Sequence, residues 1–423
     1  MQNKINISFN IYLVGQGVSN LGDSIRFIAV TMLIFRFTGS GMTAAFGIML
    51  SSLPSIIASP FAGVLGDRTN EKKVLVLVDL VRFLTVPLFL YADKIGQIYL
   101  LLVLLSLFDV FYGPCRRKFI RNITGKKGAL KANSYLAGAS GLAYFIGPLT
   151  SGFLTDRFGP APAILIASLC CIISCFLTFL SGIAPGKTGK SDSAFASSHN
   201  SYVYQSNVAA ELKEGLRYCF LTPPVRMLLM IGFIMGFSTI SVNMAFYPYV
   251  FDVLKVTAKG WSLMITLYYG TSLIAVLLVK RLERFIKDTD GKILFAGLMI
   301  VPVIWILYAF TARFTAVLVL QFIEGSVISM CGIILSARFQ VITDKELMAR
   351  VSGTNDIFAN TGKLAGMGCA AILTKSFSFY SVFIFNGVLL FLFAVYGQIN
   401  AGRSHKLGLA DVCSMRLQHK NHQ

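Results

Sequence analysis

The chain has 423 residues, 55% hydrophobic, 13% aromatic and only 13% charged, with a formal net charge of +19. A soluble domain carries about 25% charged residues, so that class is excluded. Apolar stretches of about 20 residues, long enough to cross a bilayer as a helix, recur from end to end and specify an all-α polytopic membrane protein.

Apolar windows predict twelve transmembrane helices, near 9–35, 42–65, 74–92, 98–114, 132–155, 160–184, 223–250, 260–280, 292–312, 314–337, 354–374 and 378–401. An ionisable side chain at the bilayer centre costs at least ~2.5–3.5 kcal/mol, so each one inside these spans needs a reason. The first span carries Asp23 and Arg26, three residues apart and therefore on one face. They form either a structural ion pair or a site handling substrate or protons. After the second span the sequence reads FAGVLGDRTNEKKVLVLVDLVRF over 61–83, a polar knot between apolar runs. Gly63 and Gly66 allow close helix approach. Asp67 suits a helix N-terminus, where partial positive charge favours an anion; the start of the eleventh span, near 353–356, is the expected target. Asp79 and Arg82, one turn apart, can join that network with Arg68, Lys72 and Lys73. Asp109, in the fourth span, lies near the basic cluster at 116–118 and reads as structural, with a part in proton or substrate coupling as the alternative.

The fifth span contains AYFIGPLTSGF, in which Gly147-Pro148 loosens the helix and Ser151 and Gly152 permit tight packing. The longest connection, 185–222, divides the spans six and six. The expected organisation is a first bundle over 1–184, a cytoplasmic linker over 185–222 with an amphipathic segment, a second bundle over 223–401 and a cytoplasmic tail over 402–423. Ile123-Thr124-Gly125-Lys126 is echoed by Ile342-Thr343-Asp344-Lys345, where a six-helix repeat would place it. Asn243, Phe246, Tyr247, Tyr249, Trp261, Tyr268 and Tyr269 either line an amphipathic cavity or belong to the membrane interface. Glu324, midway along the tenth span, has no cation near it in sequence; a carboxyl in such a place is a candidate for reversible protonation, with pairing across helices as the alternative. Lys363 in the eleventh span either neutralises a carboxylate or snorkels to the interface.

The basic balance reports topology. Arg116, Arg117, Lys118, Arg121, Lys126, Lys127 and Lys131 crowd one connection, and its alternates with the same facing are similarly basic. The opposite set holds only Arg36, Lys94, Arg157, Lys255, Lys259, Arg313 and Lys375. Cationic loops stay cytoplasmic, so both termini are expected inside, and no nucleic-acid partner is expected. The first apolar segment is too long for a cleavable signal peptide. Scattered cysteines and four histidines outside the spans show no ligand spacing, so no metal or other cofactor is expected. No phosphate-binding glycine loop or nucleophile–base motif points to an enzyme or an ATP-driven pump.

The 63–75 knot resembles the major facilitator superfamily through Gly63, Leu65, Asp67, Arg68, Lys72 and Leu75, with departures at Asn70, where a glycine is usual, and at Glu71, where a cation is usual. Ala143, Gly147, Pro148, Ser151 and Gly152 resemble the motif of members that export by exchange, with small residues for glycine at two positions. SNLGDSIRFIAVTMLIFRFTGSG, KEGLRY at 213–218 and QVITDKELMARVSG at 340–353 look like a bacterial branch containing macrolide-type and siderophore exporters. The resemblance implies two six-helix bundles that alternate access and a gate motif locking the cytoplasmic side. Proton-coupled export of amphipathic compounds from a bacterial inner membrane by a monomer is the expectation. Uptake of a nutrient or metabolite is the rival, and a non-transporting receptor a remote one.

Overall fold

The computed structural model describes residues 2–181, 220–342 and 348–420, and among these there is no β-strand. The elements are α1 (Gln2–Thr38), α2 (Gly41–Arg68), α3 (Glu71–Thr85) with a 3-10 turn (Val86–Tyr91), α4 (Ile95–Phe158) and α5 (Pro160–Leu180). Then follow α6 (Pro223–Pro248) with a π-helical turn (Tyr249–Val253), α7 (Ala258–Phe310), α8 (Phe314–Ile342), α9 (Met348–Ser376) and α10 (Phe379–Lys420). The twelve apolar runs thus occupy ten α-helical elements, because the connections after the fourth and eighth runs are themselves helical.

α4 covers two runs and turns back on itself. Its first limb meets α1 at Gln16 through Tyr112, and Phe119 and Ile120 share an apolar cluster with Phe9 and Tyr12. The return limb enters the same cluster with Ala132 and Leu136, then climbs α1 in the opposite sense. Asn20 Nδ2 donates to Ser140 Oγ, Ser24 Oγ to the Ala143 carbonyl, Ser151 Oγ to the Ile25 carbonyl and Arg36 Nη2 to the Thr155 carbonyl. Nine described spans are long and apolar enough to cross a membrane. The 132–155 run is not one of them, because it is rich in Gly, Ala and Ser; it trades hydropathy for close contact.

Two compact units emerge. The first comprises 1–214 with 246–270, and the second 215–245 with 271–423. Within the first, Asp252 on the π turn accepts a hydrogen bond from the Gly41 N–H at 2.9 Å, filling the cap that the Ser40 side chain leaves open at the start of α2. Phe251 stacks on Phe35 with centroids 4.7 Å apart. Phe246, Tyr247, Tyr249 and Trp261 are buried in the same aromatic cluster and have structural work. Tyr269 instead pairs with Tyr144 at 5.6 Å and remains half exposed.

Within the second unit, α6 and α9 each carry a Gly-x-x-x-Gly pair, Gly232/Gly236 and Gly362/Gly366. Gly362 lies against the Phe233 carbonyl and Gly366 against the Phe237 carbonyl, and Ser241 Oγ donates to the Gly366 carbonyl at 2.8 Å. Such close backbone approach replaces the hydrophobic drive that lipid removes.

Candidate functional site

α1, α3, α4 and α5 of the first unit converge on a buried charge cluster. Helical spacing puts Asp23 and Arg26 on one face of α1 and Asp79 and Arg82 on one face of α3; packing then turns the two faces towards each other. Arg26 Nη2 meets Asp23 Oδ1 at 3.0 Å. Arg82 reaches three carboxylates: Nε donates to Asp109 Oδ1 at 2.7 Å, and Nη1 lies 3.3 Å from Asp23 Oδ2 and 3.5 Å from Asp79 Oδ1. Arg26 stands 4.0 Å from the second oxygen of Asp109. Three carboxylates therefore share two guanidinium groups.

The cluster is held from all sides. Ser174 Oγ on α5 donates to Asp79 Oδ2 at 2.7 Å, and Arg82 Nη1 donates to Ser19 Oγ at 3.3 Å. The Arg82 guanidinium lies over the Tyr112 ring at 4.7 Å, a cation–π contact. The Tyr112 and Tyr12 hydroxyls both donate to Gln16 Oε1, whose Nε2 donates to Asn20 Oδ1. This rail of polar side chains runs along α1 from Tyr12 to the cluster. Asp79 is fully buried, whereas the Asp109 side chain is 28% exposed and is the most open of the three acids.

Glu324 lies elsewhere, buried in the second unit. Trp305 Nε1 donates to its Oε1 at 2.6 Å and the Tyr308 hydroxyl to its Oε2 at 2.7 Å. Among the described residues no Lys or Arg pairs with it. Lys363, on α9, donates to Asn360 Oδ1 at 3.3 Å and meets no carboxylate among the described residues.

The polar knot divides. Gly63, Gly66, Asp67 and Arg68 lie in α2, but their surroundings fall outside what is described, as do those of Gly353 in the expected target. Asn70, the departure from glycine, caps α3 by accepting from the Lys73 N–H at 3.1 Å. Glu71, the charge reversal, meets Lys118 Nζ at 3.6 Å and accepts from Asn122 Nδ2 at 2.5 Å. Both departures are answered locally, Asn70 by the first turn of α3 and Glu71 by α4. Lys72 lies over the Phe179 ring, and Lys73 is exposed. Asp79 and Arg82 sit with Asp23, Arg26 and Asp109. In the fifth run, a Cβ at Gly147 would collide with Ser24 and one at Gly152 with Ser262, so both glycines mark tight helix crossings. Pro148 lies between them inside α4.

Sequence spacing identifies each pair in the cluster but not the partnership across helices. Ser19, Tyr112 and Ser174 carry no signal of their own. The same holds for Trp305 and Tyr308, which precede Glu324 by 19 and 16 residues on the neighbouring helix.

A family model described as Major Facilitator Superfamily matches residues 12–362. The chain is 23% identical over 379 residues to the multidrug efflux pump Tap of Mycolicibacterium fortuitum, covering 86% of this chain and 88% of that one. It is 24% identical over 157 residues to macrolide efflux protein A of Streptococcus pyogenes, an alignment spanning 36% of this chain and 39% of that relative. Its fold is similar to that of a bacterial homologue of the iron transporter ferroportin in an inward-facing state. That match has a TM-score of 0.69 at 13% identity, over 92% of this chain and 98% of the other.

Proposed function

The chain belongs to the Major Facilitator Superfamily, and from that membership we propose a proton-coupled exporter of amphipathic small molecules, drug- or siderophore-like, working by alternating access. It is a multi-pass membrane protein of a transporter family, and we place it in a bacterial inner membrane as a monomer with both termini cytoplasmic. The observation that carries the coupling is the charge count of the cluster. With Asp23, Asp79 and Asp109 ionised against Arg26 and Arg82, it holds one negative charge in excess. An uncompensated charge in a low-dielectric interior is costly, and one proton removes it. Asp109 is the member suited to exchange that proton. It has the greatest exposure, whereas Asp79 is sealed between Arg82 and Ser174 and Asp23 is held by both arginines.

A proton binds when the cluster is open to the proton-rich side and leaves when a change in its surroundings offers Asp109 more solvent or a closer cation. Arg26, 4.0 Å away and carrying a buried Nε without an acceptor among the described residues, is placed to close on the ionised form. The export direction is supported by the likeness to an efflux-named relative over most of both chains and by the small-residue pattern around Gly147–Gly152.

The test is accumulation of a panel of fluorescent lipophilic compounds in an efflux-deficient bacterium expressing the chain. Export predicts lower accumulation of at least one compound, restored by a protonophore. Raised accumulation would mean an uptake permease, and export that persists after the protonophore would contradict proton coupling.

A further inference from the structure

The second unit holds a carboxylate that the charge cluster does not use. Glu324 on α8 is only 7% exposed and is met by two neutral donors, Trp305 and Tyr308 of α7. Two buried amides, one on α8 and one on α10, have an oxygen without a donor among the described residues. Gln321, 4% exposed, lies one turn before Glu324 on the same face of α8, and its Oε1 finds no donor among the described residues. Asn386 on α10, fully buried, donates Nδ2 to the Val382 carbonyl at 2.8 Å, and its Oδ1 finds no donor among the described residues. α10 packs on α7 at this level: the Tyr308 and Phe383 rings stand 6.0 Å apart, and Gly387 lies against Ile306 and Pro302. Three helices thus place a buried carboxylate and two buried amides, each with an oxygen that finds no donor among the described residues, at the level of the Trp305–Tyr308 turn.

Buried acceptors without donors are rare because each forfeits its hydration. A proton on Glu324 would remove the charge yet could serve only one of the two amide oxygens. A small hard cation answers all three groups, since carboxylate and carbonyl oxygens suit hard ions and not soft ones. One carboxylate balances one positive charge, which selects a monovalent ion over a divalent one. We propose that Glu324, Gln321 and Asn386 form a sodium site in the second unit, with Trp305 and Tyr308 fixing the carboxylate. The site is separate from the charge cluster, and its existence does not rest on proton coupling there.

Trp305 is a built-in reporter, bonded directly to the carboxylate. Purified full-length chain in detergent is titrated with sodium chloride against choline chloride at fixed pH and ionic strength. A ligand that binds only the folded state raises the unfolding midpoint saturably. Sodium therefore raises the midpoint and changes tryptophan fluorescence with one half-saturation, while choline does neither. Glu324→Gln removes both responses. Asn386→Leu, which keeps the carboxylate and its two donors, shifts the half-saturation at least tenfold. Trp305→Phe removes the fluorescence change. Equal responses to sodium and choline overturn the site, as does an unchanged half-saturation in folded Asn386→Leu. A response to pH alone also overturns it, leaving Glu324 as a proton site.

Discussion

Arg82 touches all three carboxylates of the cluster, so its loss leaves the most charge uncompensated. Removing one partner of a buried ion pair typically costs about 3–5 kcal/mol, and Arg82→Gln should lose that much, read as a fall in folded yield and unfolding midpoint. Asp109→Asn goes the other way in charge: two carboxylates then balance two guanidinium groups. It should fold as well as the native chain. If Asp109→Asn proves the less stable of the two variants, the charge count is the wrong description of the cluster. The sequence discloses this site only by halves. Three-residue spacing shows that Asp23 faces with Arg26 and Asp79 with Arg82. Asp109 reads as a neighbour of the 116–118 cations, yet its partner is Arg82, 27 residues upstream. Which helix faces meet is decided by packing, and a local pattern does not encode that.

At the scale of helices, close crossings are set by glycines whose neighbours differ sharply within one element. On α9, a Cβ at Gly366 would meet the Phe237 carbonyl and the Ile240 side chain, while one at Gly368 would meet nothing within 4 Å. Alanine in place of a helical glycine gains about 0.5–1 kcal/mol when space allows. Overpacking costs about 1–3 kcal/mol when it does not. Gly366→Ala should therefore lower the unfolding midpoint and Gly368→Ala raise it slightly. An unchanged or raised midpoint in Gly366→Ala would show that α6 and α9 do not approach as closely as the Gly-x-x-x-Gly pairing requires. The apolar runs locate the described helices well. What periodicity cannot show is that the connections after the fourth and eighth runs stay helical, since polar, basic sequence serves a helix and a loop alike. Nor does it show that 246–270 packs with the first unit, because side chains such as Phe251 and Asp252 find partners more than two hundred residues away.

For the whole molecule, composition is decisive for class and weak for purpose. With 13% charged residues the chain can be little other than a membrane protein, and the motif around Asp67 and Arg68 points to the family that the 12–362 match establishes. Substrate choice is not legible at this scale, since a few cavity side chains set it while hundreds set the fold. The proposed coupling requires an internal group whose charge can change, and the cluster sets three carboxylates against two guanidinium groups. The decisive measurement is substrate-induced proton movement in everted membrane vesicles, comparing the native chain with folded Asp109→Asn. Compound addition to native vesicles should release protons from the lumen, and Asp109→Asn should move compound without protons or not at all. Undiminished proton release in Asp109→Asn would contradict the assignment of the exchanging proton to this cluster's most exposed acid.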